Sequence, residues 1–182
     1  MDDRRGDGEE VAIRVVAGAA EIDRADWDRA AAGAADRPDP LLSHDFFTAL
    51  EASGSAAPEA GWHPRHLAID GPDGRPIAVV PAYVKTHSQG EYVFDHAWAR
   101  AYEHAGGRYY PKLQVSVPFN PVTGPRLLVG RAEAGDLARR RRMLIAGLEA
   151  LTENAGFSSA HATFLDEADA AAFAAAGWSA RV

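Results

Sequence analysis

Between Lys85 and Lys112 the chain gathers Glu91, Asp95 and Glu103, three of its seven histidines and four of its five tyrosines. Carboxylates and imidazoles move protons, ammonium groups hold anions, and tyrosine joins a flat apolar face to a hydroxyl. Glu91, Asp95 and His87 are the candidates for proton transfer. If residues 91–96 are extended, Glu91 and Asp95 share one side, with Tyr92 and His96 on the other. Two such carboxylates can raise each other's pKa and create a base, or pair with Lys85, Arg100 or Arg108. Lys85 and Ser88 follow an expected strand and are candidates to contact a phosphate or carboxylate; the plainer alternative is a hydrogen-bonded loop that anchors Glu91. Tyr92, His96 and Trp98 are candidates for substrate contact. Tyr109, Tyr110 and Lys112 can line a groove for a sugar or peptide, with at least one ring going to the core instead. Later in the chain, Thr123 lies in the proline loop P-F-N-P-V-T-G-P and Arg126 directly after it, where Arg126 can hold a carboxylate or phosphate bidentately and Pro118, Pro121 and Pro125 fix the loop's shape. His161 shares a strand face with Thr163, as a ligand contact or a satisfied core residue.

These residues sit in a chain of 182 residues, 47% hydrophobic and 25% charged, which suits a globular fold with its own core. The net charge of −7 argues against nucleic-acid binding by bulk charge. A local patch, Arg139 to Arg142, is either a solvated helix face or a landing point for tRNA. The chain has no cysteine, so disulfides and thiolate chemistry are excluded. His44, His63 and His66 are too scattered to suggest metal ligation. The start M-D-D-R-R-G-D-G-E-E is no signal peptide, and no apolar run approaches the ~20 residues that span a bilayer. A cytoplasmic protein is the default expectation.

The elements that must position the candidates follow from periodicity. Residues 1–10 are expected to be a disordered acidic leader. Strands are expected over Val11–Val16, His66–Asp70, Pro76–Val84, Leu113–Val117, Arg126–Val129 and Ala160–Leu165, with another beginning at Trp178. The turn G-P-D-G makes a hairpin of the second and third. Helices are expected over Ala19–Ala35, Phe46–Ala52 with Ser43 as N-cap, Ala97–Ala105, Asp136–Asn154 and Glu167–Ala176. Strands alternating with helices around a mixed sheet imply an α/β or α+β sandwich.

Four motifs in order carry a family resemblance: K-x-H-S-x-G-E-Y-V-F-D-x-x-W-A, G-G-x-Y-Y-P-K-L, V-P-F-x-P-V-T-G-P-R-L-L and S-x-H-x-T-F. The resemblance covers roughly residues 42–178. The motifs resemble the peptidoglycan biosynthesis/recognition proteins, FemAB-like members of the GNAT N-acyltransferase superfamily. The resemblance implies a GNAT-like, mixed and mostly antiparallel sheet flanked by helices, as one lobe over residues 11–182. It also implies that this lobe is the N-terminal half of a two-lobe protein.

The implied activity is transfer of an acyl or aminoacyl group, from acyl-CoA or aminoacyl-tRNA, to an amine of a cell-wall precursor. The alternative is a non-catalytic lobe that recognises the precursor and needs a second GNAT-like half. GNAT proteins cradle the acyl carrier's phosphates with a Q/R-x-x-G-x-G/A loop. At the matching place, Gly130 to Asp136, Arg131 aligns with the first position, but Ala134 and Asp136 replace the glycines and Glu133 adds negative charge.

Overall fold

A computed structural model describes residues 12–33 and 38–181. The expected leader, Val11, the end of the first helix and Val182 lie outside the described residues. The architecture is a mixed α+β layer made of two mostly antiparallel sheets, with helices on both faces.

The first sheet holds β1 (Ile13–Val16), β3 (His66–Asp70) and β4 (Pro76–Val80), in the order β1-β3-β4. The hairpin between β3 and β4 turns at Gly71–Gly74, where the Gly71 amide donates to the Arg75 carbonyl at 2.8 Å and Gly74 adopts φ +74°. The second sheet holds β2 (Trp62–Pro64), β5 (Ala82–Lys85), β6 (Lys112–Val115) and β7 (Ala160–Ala162), in that order, with only β6–β7 parallel. The expected run Pro76–Val84 is thus two strands in two sheets. Pro81 separates them; without an N–H it cannot continue the ladder.

Five α-helices complete the layers: α1 (Arg24–Ala32), α2 (His44–Ala52), α3 (His96–His104), α4 (Ala134–Asn154) and α5 (Glu167–Ala175). α1 starts later than the alanine pattern suggests because the Asp23 side chain accepts from the Ala25 amide and fixes the first turn there. Ser43 caps α2 as expected, accepting from the Phe46 amide. Two expected strands do not form. In 126–129 only Leu128 bridges to Val79, and no strand follows Trp178 among the described residues.

Strand alternation divides the core. Ala68, Val79 and Tyr83 face Trp27, Leu42 and Phe47 of the α1–α2 side. Leu67, Ile69, Val80, Val84, Leu113 and Val115 face Leu144, Ile145, Leu148 and Phe173 of α4 and α5. On the Tyr83 side of the second sheet, residues of segment 86–111 bond to Lys85 and Lys112.

Candidate functional site

Cross-strand register places the chemistry. Trp62 lies opposite Lys85, and Lys85 opposite Lys112; in the next row Tyr83 lies opposite Gln114, and Gln114 opposite His161. Opposed residues share a side of a sheet. The second sheet therefore has one apolar face under α4 and α5 and one polar face bearing both lysines. Two lysines paired directly across strands repel each other, and both are buried. They persist only if opposite charge is brought to them.

The segment 86–111 brings it. After Ser88 the chain turns, the Glu91 amide donating to the Ser88 carbonyl at 3.2 Å, and Gly90 (φ +81°) and Tyr92 (φ +56°) take left-handed backbone. Residues 91–95 are not an extended strand. Glu91 and Asp95 nevertheless converge, because both reach one ammonium: Lys112 Nζ donates to Glu91 Oε2 at 2.7 Å and to Asp95 Oδ2 at 2.6 Å. Asp95 sits at the N-cap of α3 but makes no cap bond; its other oxygen accepts from the Tyr110 hydroxyl at 3.0 Å. Among the described residues Lys85 has no carboxylate within bonding distance. Its Nζ donates to the Gln89 carbonyl at 3.1 Å and lies 3.5 Å from the centre of the Trp62 ring.

Burial and charge then shift the proton affinities of these groups. Burial pulls the Lys85 ammonium down to about 7, with the Lys112 charge adding to that and Glu91 opposing it. Burial pushes the Glu91 carboxyl up against the pull of Lys112. Asp95 is also buried, but hydrogen bonding and charge from Lys112, with help from Ser88 and Tyr110, hold it down at about 2. Burial raises Tyr110 to about 12, and Tyr109 rises too. Glu91 Oε1 is buried without a partner. The result is a fixed anion, Asp95, beside a lysine and a glutamate of converging proton affinity, one with a free acceptor oxygen. Titratable pairs set in this way are suited to passing a proton.

Beside the cluster a cavity of about 330 Å³ opens to the surface. Tyr92, Phe94 and Phe119 supply its aromatic wall, and Ser88, Gln89 and His96 its polar one. Trp62 packs against Phe119 at 5.4 Å and so joins cavity to cluster.

The expected residues are distributed unevenly around this centre. Lys85, Glu91, Asp95, Tyr110 and Lys112 are in it. Tyr109 packs against Tyr110 and lies 6.1 Å, ring to ring, from His161. His161 binds Ser159 Oγ at 2.9 Å, and burial with the Lys112 charge lowers it to about 4, so it is neutral near pH 7. Ser88, Tyr92 and His96 line the cavity. His87 turns away toward Gly61 and accepts from the Gln89 amide through Nδ1 at 3.2 Å. Trp98 is exposed on α3 under the guanidinium of Arg181. Arg126 is buried and spends its guanidinium on the Pro125 and Val122 carbonyls, holding its own loop; Thr123 in that loop is exposed. Arg131 is exposed before α4, and Glu133 and Asp136 flank the helix start. In the arginine run, Arg140 donates to the Ile77 and Val129 carbonyls and Arg141 pairs with Asp169, leaving Arg139 and Arg142 exposed.

Sequence reasoning missed Trp62, Gln89, Phe94, Gln114, Ser116 and Phe119. One signal was present: in K-L-Q-V-S-V, polar residues alternate with apolar ones, which marks a strand with a polar side. Gln114 Oε1 and Ser116 Oγ are, like Glu91 Oε1, buried without partners.

Fold and cluster together define a mixed α+β protein with a buried lysine–carboxylate cluster on one sheet face. The chain belongs to the peptidoglycan biosynthesis/recognition family, whose FemAB-like model matches residues 18–182. No curated protein and no solved structure matches it.

Proposed function

We propose that this chain is a GNAT-type N-acyltransferase lobe that joins an acyl or aminoacyl group to an amine of a peptidoglycan precursor. The single observation that carries the reading is Glu91, buried, raised in proton affinity, tied to Lys112 by one oxygen and free at the other. The acceptor amine attacks the carbonyl carbon of an activated ester or thioester. A C–N bond forms, the C–O or C–S bond breaks, and the amine proton passes to Glu91 Oε1 while the leaving oxygen or sulfur takes up a proton. Lys85 is the second proton-carrying group. Asp95, held ionised, anchors Lys112 rather than acting as base. His87, turned toward Gly61, is a loop anchor in this reading.

A second reading has its own support. The acidic start of α4, with Glu133 and Asp136 where a phosphate cradle is expected, opposes an acyl-carrier pyrophosphate. It favours a recognition lobe that binds the precursor and relies on a second half for turnover.

The experiment is to incubate the chain with UDP-linked muropeptide and either acetyl-CoA or aminoacyl-tRNA, and to follow acylation by mass spectrometry. Transfer that falls roughly 10²–10⁴-fold in Glu91→Gln, with the fold intact by circular dichroism, is the expected result. Thermal stabilisation by the muropeptide with no transfer from either donor would establish the recognition lobe instead.

A further inference from the structure

We propose that the cavity walled by Tyr92, Phe94 and Phe119 is a saccharide subsite that takes one pyranose ring. The inference rests on the reading above only in making this sugar part of the molecule that carries the acceptor amine. At about 330 Å³ the cavity lies at the small end of ligand sites, with room for one ring rather than a chain of them. Its aromatic faces suit the C–H face of a sugar, and Ser88, Gln89 and His96 provide donors and acceptors for hydroxyl or acetamido groups. Among the described residues no lysine, arginine or carboxylate lines it, so a phosphate or nucleotide finds no lysine or arginine there.

The backbone supplies a second observation. Among the described residues three non-glycine residues have positive φ, and two of them, Tyr92 (+56°) and Phe119 (+60°), line this cavity. A left-handed backbone is rare for bulky residues. Both rings are exposed, Tyr92 at 54% and Phe119 at 40%, and Phe94 beside them is 83% exposed. Phe119 is held in place by its amide, which donates to the Gly90 carbonyl at 3.1 Å. Strain of this kind collects at ligand clamps. The cavity also meets the charge cluster, since the Gln89 carbonyl accepts from Lys85 Nζ while Gln89 lines the cavity. A ring seated there lies against the same turn that carries Glu91.

The test is titration of the full chain by calorimetry and saturation-transfer NMR with N-acetylglucosamine tetramer, cellotetraose, UMP and tetra-alanine. Saturable binding of a saccharide is expected, without binding of UMP or tetra-alanine. Phe94→Ala should weaken it roughly tenfold, and Phe94→Trp should retain it. Phe94 is so exposed that its truncation leaves the core intact, and the melting temperature checks this. Absence of saccharide binding, preference for UMP or tetra-alanine, or unchanged affinity in both Phe94→Ala and Tyr92→Ala overturns the proposal. Saccharide binding without acyl transfer leaves the subsite standing and removes the transferase reading. Transfer by a chain that binds no saccharide does the reverse.

Discussion

Lys112 is the residue on which the site depends. It is buried between two carboxylates and bonds to both. Replacing it leaves two uncompensated buried charges, and Lys112→Met should cost about 3–5 kcal/mol in urea unfolding. Lys85 behaves differently, because burial holds its folded pKa at about 7, below the ordinary lysine value of 10.5. Between these values the unfolded chain binds more protons, so stability should rise with pH from about 7 toward 10. The same sign applies to Asp95, whose contribution is present above its ordinary value of 3.8 and is lost as pH falls toward 2. Chemical denaturation across pH 6–9 should therefore show a rise that Lys85→Met abolishes; an unchanged slope in that variant would refute the assignment. Glu91, Asp95 and Lys112 were legible as candidates from their types. Their meeting was not, because it arises from two turns of left-handed backbone and not from the strand alternation that the sequence suggests.

At the scale of elements, the site is a product of register. β5 and β6 oppose Lys85 and Lys112, and β2 sets Trp62 beneath Lys85. The alternation that created this polar face could be read in 112–117, whereas β2 is too short for any period to show. Helix placement depends equally on small residues. A Cβ on Gly33, at the end of α1, would run into the Gly130 backbone ahead of α4. Gly33→Ala should therefore destabilise by about 1–3 kcal/mol, read as a lowered urea midpoint with unchanged m-value. A midpoint equal to wild type would mean that α1 and the 130 loop do not touch.

For the whole molecule, the central strands are sealed by two apolar clusters, while segment 86–111 covers the polar face with few backbone hydrogen bonds outside α3. Amide exchange should be slowest in β3–β6 and much faster in 86–95, and a bound saccharide should protect 88–96 selectively. Uniform protection across both regions would contradict this division. The order of most elements, the hairpin at Gly71–Gly74, the amphipathic α4 and the richness of residues 85–112 are written in the chain, because periodicity, caps and turn residues act locally. The family was also visible in it, through motifs that keep their spacing. Which carboxylate meets which lysine, the withdrawal of Arg126 into its own loop and the outward turn of Tyr92 and Phe119 required the tertiary structure. Each is decided by pairing between residues far apart in sequence, and by the high cost of leaving a buried charge alone.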